Sequence, residues 1–126
     1  MTAPAPQPKR PTMMRPFPVV RIAGVVLSRG ALVKVLSVKA ARGARVVVRC
    51  HGRGCPVGTV ARSSVAPLVR FHRFERRLPA GVRLELFVRK KSRIGKYTRF
   101  LIRAGRPPAR MDRCLMPGRA RPVRCP

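Results

Sequence analysis

The side chains best equipped for bond-making or metal-holding chemistry are few: Cys50, Cys55, Cys114 and Cys125, His51 and His72, and the carboxylates Glu75, Glu85 and Asp112. The cysteines form an even set spaced Cys-x4-Cys and Cys-x10-Cys. With His51 they could supply thiolate and imidazole to tetrahedral zinc. Paired Cys-x2-Cys knuckles are the strong zinc signal, however, and these spacings lack them. Crosslinks are the simpler reading, and no metal or other cofactor is expected. Four cysteines permit three pairings. Each sequence-adjacent pair is joined by a short loop containing Gly or Pro, so the expected bonds are Cys50 with Cys55 and Cys114 with Cys125.

Neither histidine stands beside an acid and a nucleophile in the arrangement of a catalytic triad. The three carboxylates are expected to pair with nearby arginines rather than with each other as acid and base. An enzyme is not expected, and neither is a small-molecule substrate.

Charge is the dominant chemical feature. Thirty Lys and Arg face three Asp and Glu, for a formal net charge of +27. Too few carboxylates exist to pair with those cations, and a cation buried alone is costly, so nearly all of them must stay solvated. Their summed field attracts polyanions at low salt. Arg outnumbers Lys about fourfold, a bias that a GC-rich genome would also write. The densest local cluster is Arg89, Lys90, Lys91 and Arg93 with Lys96 and Tyr97, where a basic loop beside an aromatic could clasp a phosphate and stack a base. The isolated Arg-Gly steps at Arg29, Arg42 and Arg53 fall at expected hairpin turns, where Gly supplies the backbone angles.

These residues must be positioned by β-strands. Aromatics make up only 5% of the chain and there is no Trp, so Val, Leu and Ile fill the core, a composition suited to strands. Residues 1–18 hold six prolines among basic residues and read as an extended linker. A β domain is expected over 19–104, leaving roughly 85 to 90 residues for one packed unit, and 105–126 reads as a Pro/Arg-rich tail closed by cysteines. Within the domain, strands are predicted at Val19 to Leu27, Leu32 to Lys39, Val82 to Arg89 and Lys96 to Arg103. The cleanest strand has Val46, Val48 and Cys50 on one face and Arg45, Val47 and Arg49 on the other. In the second strand the apolar face changes sides between Val33 and Leu36, which a bulge near Val35 would reconcile. Val57 to Ala66 reads as a weaker strand. Leu68 to Arg77 fits either a strand or a helical turn. Six to seven short strands with frequent turn signals predict an all-β, immunoglobulin-like antiparallel sandwich.

Set in order, Ala44-Arg-Val-Val-Val-Arg-Cys-His-Gly-Arg-Gly-Cys-Pro56, Arg77-Leu-Pro-Ala-Gly-Val-Arg-Leu-Glu-Leu86, Arg93-Ile-Gly-Lys-Tyr-Thr-Arg-Phe100 and Asp112-Arg-Cys-Leu-Met-Pro-Gly118 with Arg121-Pro-Val-Arg-Cys125 resemble a recurring β-domain of actinobacterial exported and surface proteins. The similarity covers about Pro16 to Pro126, and the two cysteine segments are its most specific part. The resemblance implies an extracytoplasmic binding or spacer module beside neighbouring domains of an exported protein, with no activity to carry over.

Crosslinks agree with that compartment. No signal-peptide pattern is visible, because the apolar stretch from Phe17 to Leu27 is interrupted by Pro18, Arg21 and Gly24. The chain therefore reads either as the tail of a longer exported protein, or one with a misplaced start, or as a cytoplasmic protein with reduced or metal-bound thiols. Two functions follow from these two compartments. One is a non-catalytic extracellular accessory or adhesion module that meets an anionic cell-surface polymer through unspecific electrostatics. The other is a basic nucleic-acid-binding protein, associated with ribosome or nucleoid.

Overall fold

The computed structural model describes residues 10–64 and 66–126. Ten strands alternate between two sheets. They are β1 (Thr12–Met13), β2 (Val19–Leu27), β3 (Gly30–Lys39), β4 (Arg45–His51), β5 (Thr59–Ser63), β6 (Leu68–Arg70), β7 (Arg77–Pro79), β8 (Arg83–Arg89), β9 (Arg93–Arg103) and β10 (Arg106–Leu115). One sheet runs β2-β3, with β6 and β7 sharing the far edge of β3. The other runs β5-β4-β8-β9, with β10 antiparallel and the two-residue β1 parallel to β9. After the short β1 the chain crosses to the other sheet, and it changes sheet again after β3, β5 and β7, which gives the Greek-key order of an immunoglobulin-like sandwich.

The face predicted for β4 is the observed one, and β8 and β9 alternate in the same way. Val46, Val48 and Cys50 of β4, Leu84, Leu86 and Val88 of β8, and Thr98, Phe100 and Ile102 of β9 are all buried. Between the sheets they meet Val33, Leu36 and Val38 of β3 and Phe74, which sits on a single 3-10 turn at His72–Phe74. The change of face in β3 is a bulge: Ala23 pairs with Val35 and Gly24 with Val33, so Lys34 has no cross-strand partner there. With one residue extra, Val33 and Leu36 both point inward. Gly24 is required opposite the bulge, because a Cβ there would overlap the carbonyl oxygen of Leu32.

Three segments differ from expectation. The ambiguous stretch from Leu68 to Arg77 is neither one strand nor one helix but β6, the 3-10 turn and the start of β7. The expected tail supplies β10, ten residues long, so the sandwich extends past Ala104 and exceeds the predicted six to seven strands. Pro107 and Pro108 disguise this strand in the sequence. They sit at a register irregularity on the sheet's edge, where a missing N–H removes no ladder hydrogen bond. In the expected linker, β1 docks on β9 and Met14 is buried, its N–H donating to the Ile94 carbonyl at 3.0 Å.

Candidate polyanion-binding groove

Each of the three carboxylates is engaged by hydrogen bonds within the chain. Glu75 accepts from the Leu36 N–H at 2.9 Å and from Arg70, and its other oxygen lies 2.6 Å from His72 Nδ1. Glu85 accepts from the Tyr97 hydroxyl at 2.5 Å and lies 2.6 Å from His51 Nε2. Asp112 accepts from the Thr98 hydroxyl at 2.7 Å and from Arg110 at 2.8 Å, with Lys96 at 3.6 Å. Burial pushes each carboxyl up, but these hydrogen bonds and neighbouring cations outweigh it and hold all three below the usual carboxylate range. Tyr97 is pushed the other way, to about 12, by burial and by the carboxylate of Glu85. Glu85 was expected to pair with adjacent arginines; its close partners are instead a tyrosine and a histidine.

With the carboxylates committed, only Arg70, Lys96 and Arg110 among the described lysines and arginines lie within ion-pair distance of one. Five other cations converge at one end of the sandwich. Lys91 comes from the β8–β9 turn and Arg93 from the first position of β9, Arg10 from the segment before β1, and Arg119 and Arg121 from the loop after β10. Together with Thr12, Met116 and neighbouring prolines they line a groove of about 1240 Å³, and among the described residues no carboxylate or aromatic side chain lines it.

Two contacts hold its walls. The Arg93 guanidinium donates to the Thr12 hydroxyl, tying the N-terminal segment to the turn. On the opposite side, Cys114 and Val123 exchange both backbone hydrogen bonds, at 2.8 and 2.9 Å, and the Cys114–Cys125 disulfide closes the intervening loop. The second disulfide joins Cys50 to Cys55, so both bonds follow the predicted local pairing.

Of the six residues expected to bind polyanion, Lys90 and Lys91 are exposed on the turn, Arg93 is exposed at the start of β9, and Arg89 is half-buried at the end of β8. Lys96 and Tyr97 do not join them, and this corrects the expected cluster. The strand β9 begins at Arg93, not Lys96, so Lys96 and Tyr97 alternate to opposite faces of the sheet. Lys96 turns inward, donates to the Pro18 carbonyl at 3.1 Å and lies over the Phe17 ring. Tyr97 is 3% exposed, packed edge-to-face on Phe87 and bonded to Glu85, so it has no open ring face for a base. Arg10, Arg119 and Arg121 were not singled out in the sequence. The signal for the last two was the cysteine spacing itself, since a local Cys114–Cys125 bond folds their loop back on the domain.

Removing that bond as the double substitution Cys114→Ala, Cys125→Ala is expected to lower stability by about 2 to 3 kcal/mol, the loop-closure effect for a ring of this length. Chemical denaturation of the two proteins under non-reducing conditions measures it. An unchanged midpoint would show that the Cys114–Val123 hydrogen bonds alone secure the loop.

Comparison with known protein families, with curated proteins and with solved structures finds no match. Among the described residues no helix is long and apolar enough to cross a membrane. Two disulfides and no free cysteine suit an oxidising compartment.

Proposed function

We propose that this protein is a non-catalytic extracytoplasmic accessory or adhesion module that holds an anionic, phosphate-bearing polymer at a cell surface. The observation that carries this reading is the groove built from three separate segments, in which five cations meet without a carboxylate. Backbone phosphates of a polymer would displace counterions from such a groove without any base or sugar being read. The lack of an aromatic lining removes the stacking platform that single-stranded nucleic acid uses. The crosslinks favour the oxidising side of a membrane.

The test is a titration of the intact chain with poly(glycerol phosphate), one single-stranded RNA and one duplex DNA, each at two salt concentrations. Five phosphate contacts, each contributing a slope of about 0.7, predict roughly a 10²-fold loss of affinity between about 50 and 200 mM salt. The wall-type polymer should bind at least as well as either nucleic acid. A strong preference for one nucleic-acid sequence that persists at high salt would overturn the surface-module reading and establish nucleic-acid binding instead.

A further inference from the structure

The outer face of the sheet that holds β4 and β8 carries a second concentration of positive charge that the groove does not include. In the antiparallel register of β4 and β8, Arg45 stands directly opposite Arg89. Like charges so placed repel, and sheets normally oppose such positions with a carboxylate or an apolar residue. None of the three carboxylates is within ion-pair distance of either arginine. The only acid on these two strands, Glu85, stands opposite Arg49 and is held by Tyr97 and His51. Arg49 lies on the same face as Arg45 and Arg89, with its guanidinium 5.3 Å from the centre of the Phe87 ring. Arg45, Arg49 and Arg89 line one recess of about 260 Å³, floored by Val47 and Phe87 and walled on one side by Ala120.

From this arrangement we infer that the Arg45, Arg49 and Arg89 recess is a binding site for a tetrahedral oxyanion, a phosphate group in the first instance. A single carboxylate offers two acceptor oxygens and saturates one guanidinium fork. Three arginines lining one recess match a group with more acceptor oxygens and more charge, and their guanidiniums are planar donors that a lysine ammonium does not replace. Phe87 keeps Arg49 oriented through its ring face, so part of the ordering needed for binding is already present in the empty site. The bound anion would relieve the repulsion between Arg45 and Arg89.

The recess also extends the function proposed above, and this second part rests on that reading. Ala120 walls the recess and the groove alike, so the loop closed by Cys114 and Cys125 stands between two cationic surfaces. A polymer lying in the groove that passes over this loop would bring a further phosphate to the three arginines. The ligand class is then a chain of phosphodiesters, one of which is held by shape while the rest are held by charge.

The experiment follows arginine Nε–Hε NMR signals of the intact chain during titration with inorganic phosphate, against chloride at matched ionic strength. Saturable shifts confined to Arg45, Arg49 and Arg89 are expected. The variant Arg45→Lys, Arg89→Lys keeps the charge and removes two forks, and should bind phosphate about tenfold more weakly. Shifts reproduced by chloride, shifts spread evenly over all arginines, or equal affinity in the lysine variant would each overturn the oxyanion site. A second arm measures poly(glycerol phosphate) binding by the same variant. A several-fold loss joins recess to groove, and an unchanged affinity overturns that continuity, leaving free phosphate as the source of the anion. If phosphate saturates the recess while the polymer does not bind at all, the proposed function fails and the oxyanion site stands.

Discussion

Replacing Glu75 by glutamine is expected to destabilise the protein by about 3 kcal/mol, which for a domain of this size lowers Tm by roughly 10 °C. The reason lies in a gap on the far edge of β3. Its beginning, Gly30 to Leu32, pairs with β7, and its end, Ser37 to Lys39, pairs with β6. Between these two ladders the backbone of β3 faces no strand. Four interactions close the gap: the Val33 N–H donates to the Arg76 carbonyl, the Phe71 N–H donates to the Leu36 carbonyl, the Leu36 N–H donates to the Glu75 carboxylate, and Arg70 donates both to that carboxylate and to the Lys34 carbonyl. The Glu75 side chain is 7% exposed. Glutamine keeps the shape, but its amide group would turn a donor toward donors, and the charge that orients Arg70 is lost. Arg70 is half-exposed and regains water, which limits the cost to the hydrogen bonds rather than to a fully buried pair.

This effect depends on pH with a definite sign. Burial raises the Glu75 pKa, but the bonds from Leu36, Arg70 and His72 lower it further, so the folded-state value lies below the unfolded one. The contribution is therefore complete above the ordinary carboxylate range and disappears as pH falls through the depressed folded value. Thermal unfolding at pH 7 should show the full difference between native chain and variant, and unfolding near pH 3 a smaller one. An equal difference at both pH values would mean that the carboxylate's charge plays no part.

Neutralising the groove is expected to have the largest effect on binding. With Lys91, Arg93, Arg119 and Arg121 all changed to glutamine, affinity for poly(glycerol phosphate) at low salt should fall by about 10²- to 10³-fold, and the salt slope should flatten by about three. Every polyanion should weaken in parallel, because none of these side chains belongs to a base-reading motif. Arg93 also anchors the N-terminal segment through Thr12, so Lys91, Arg119 and Arg121 substituted without it form the control. That triple variant should show about three quarters of the slope change. A quadruple variant that binds as tightly as the native chain would remove the groove from the proposed function.

The strands and their inward faces could be read from the sequence because the controlling forces are local. Alternation of Val, Leu and Ile with Arg in β4 and β8 assigns each residue to a face whatever its partner, and a short loop brings Cys50 to Cys55 without help from the rest of the chain. Even the bulge in β3 was visible, because the apolar residues there break the period of two. Loss of strand signal was also local: Pro107 and Pro108 hid β10, since nothing in the sequence told that it would be an edge strand.

Composition and residue order thus determined an all-β sandwich with two local crosslinks and a large unpaired positive charge. Which cations stay available for a ligand was decided only by the tertiary structure. Hydrogen-bond partners are a long-range choice: the Leu36 N–H finds the Glu75 carboxylate at a separation of 39 residues, and Arg93 finds the Thr12 hydroxyl at 81. Lys96 looked like part of the basic turn until strand alternation carried it inward to Pro18 and Asp112. Arg10, Arg119 and Arg121 became neighbours of Lys91 because β1 and β10 dock on the same edge of β9 and so bring both ends of the described chain to one end of the sandwich. A charge count is additive along the chain, whereas a site requires particular charges to meet, and only the packing of distant segments brings them together.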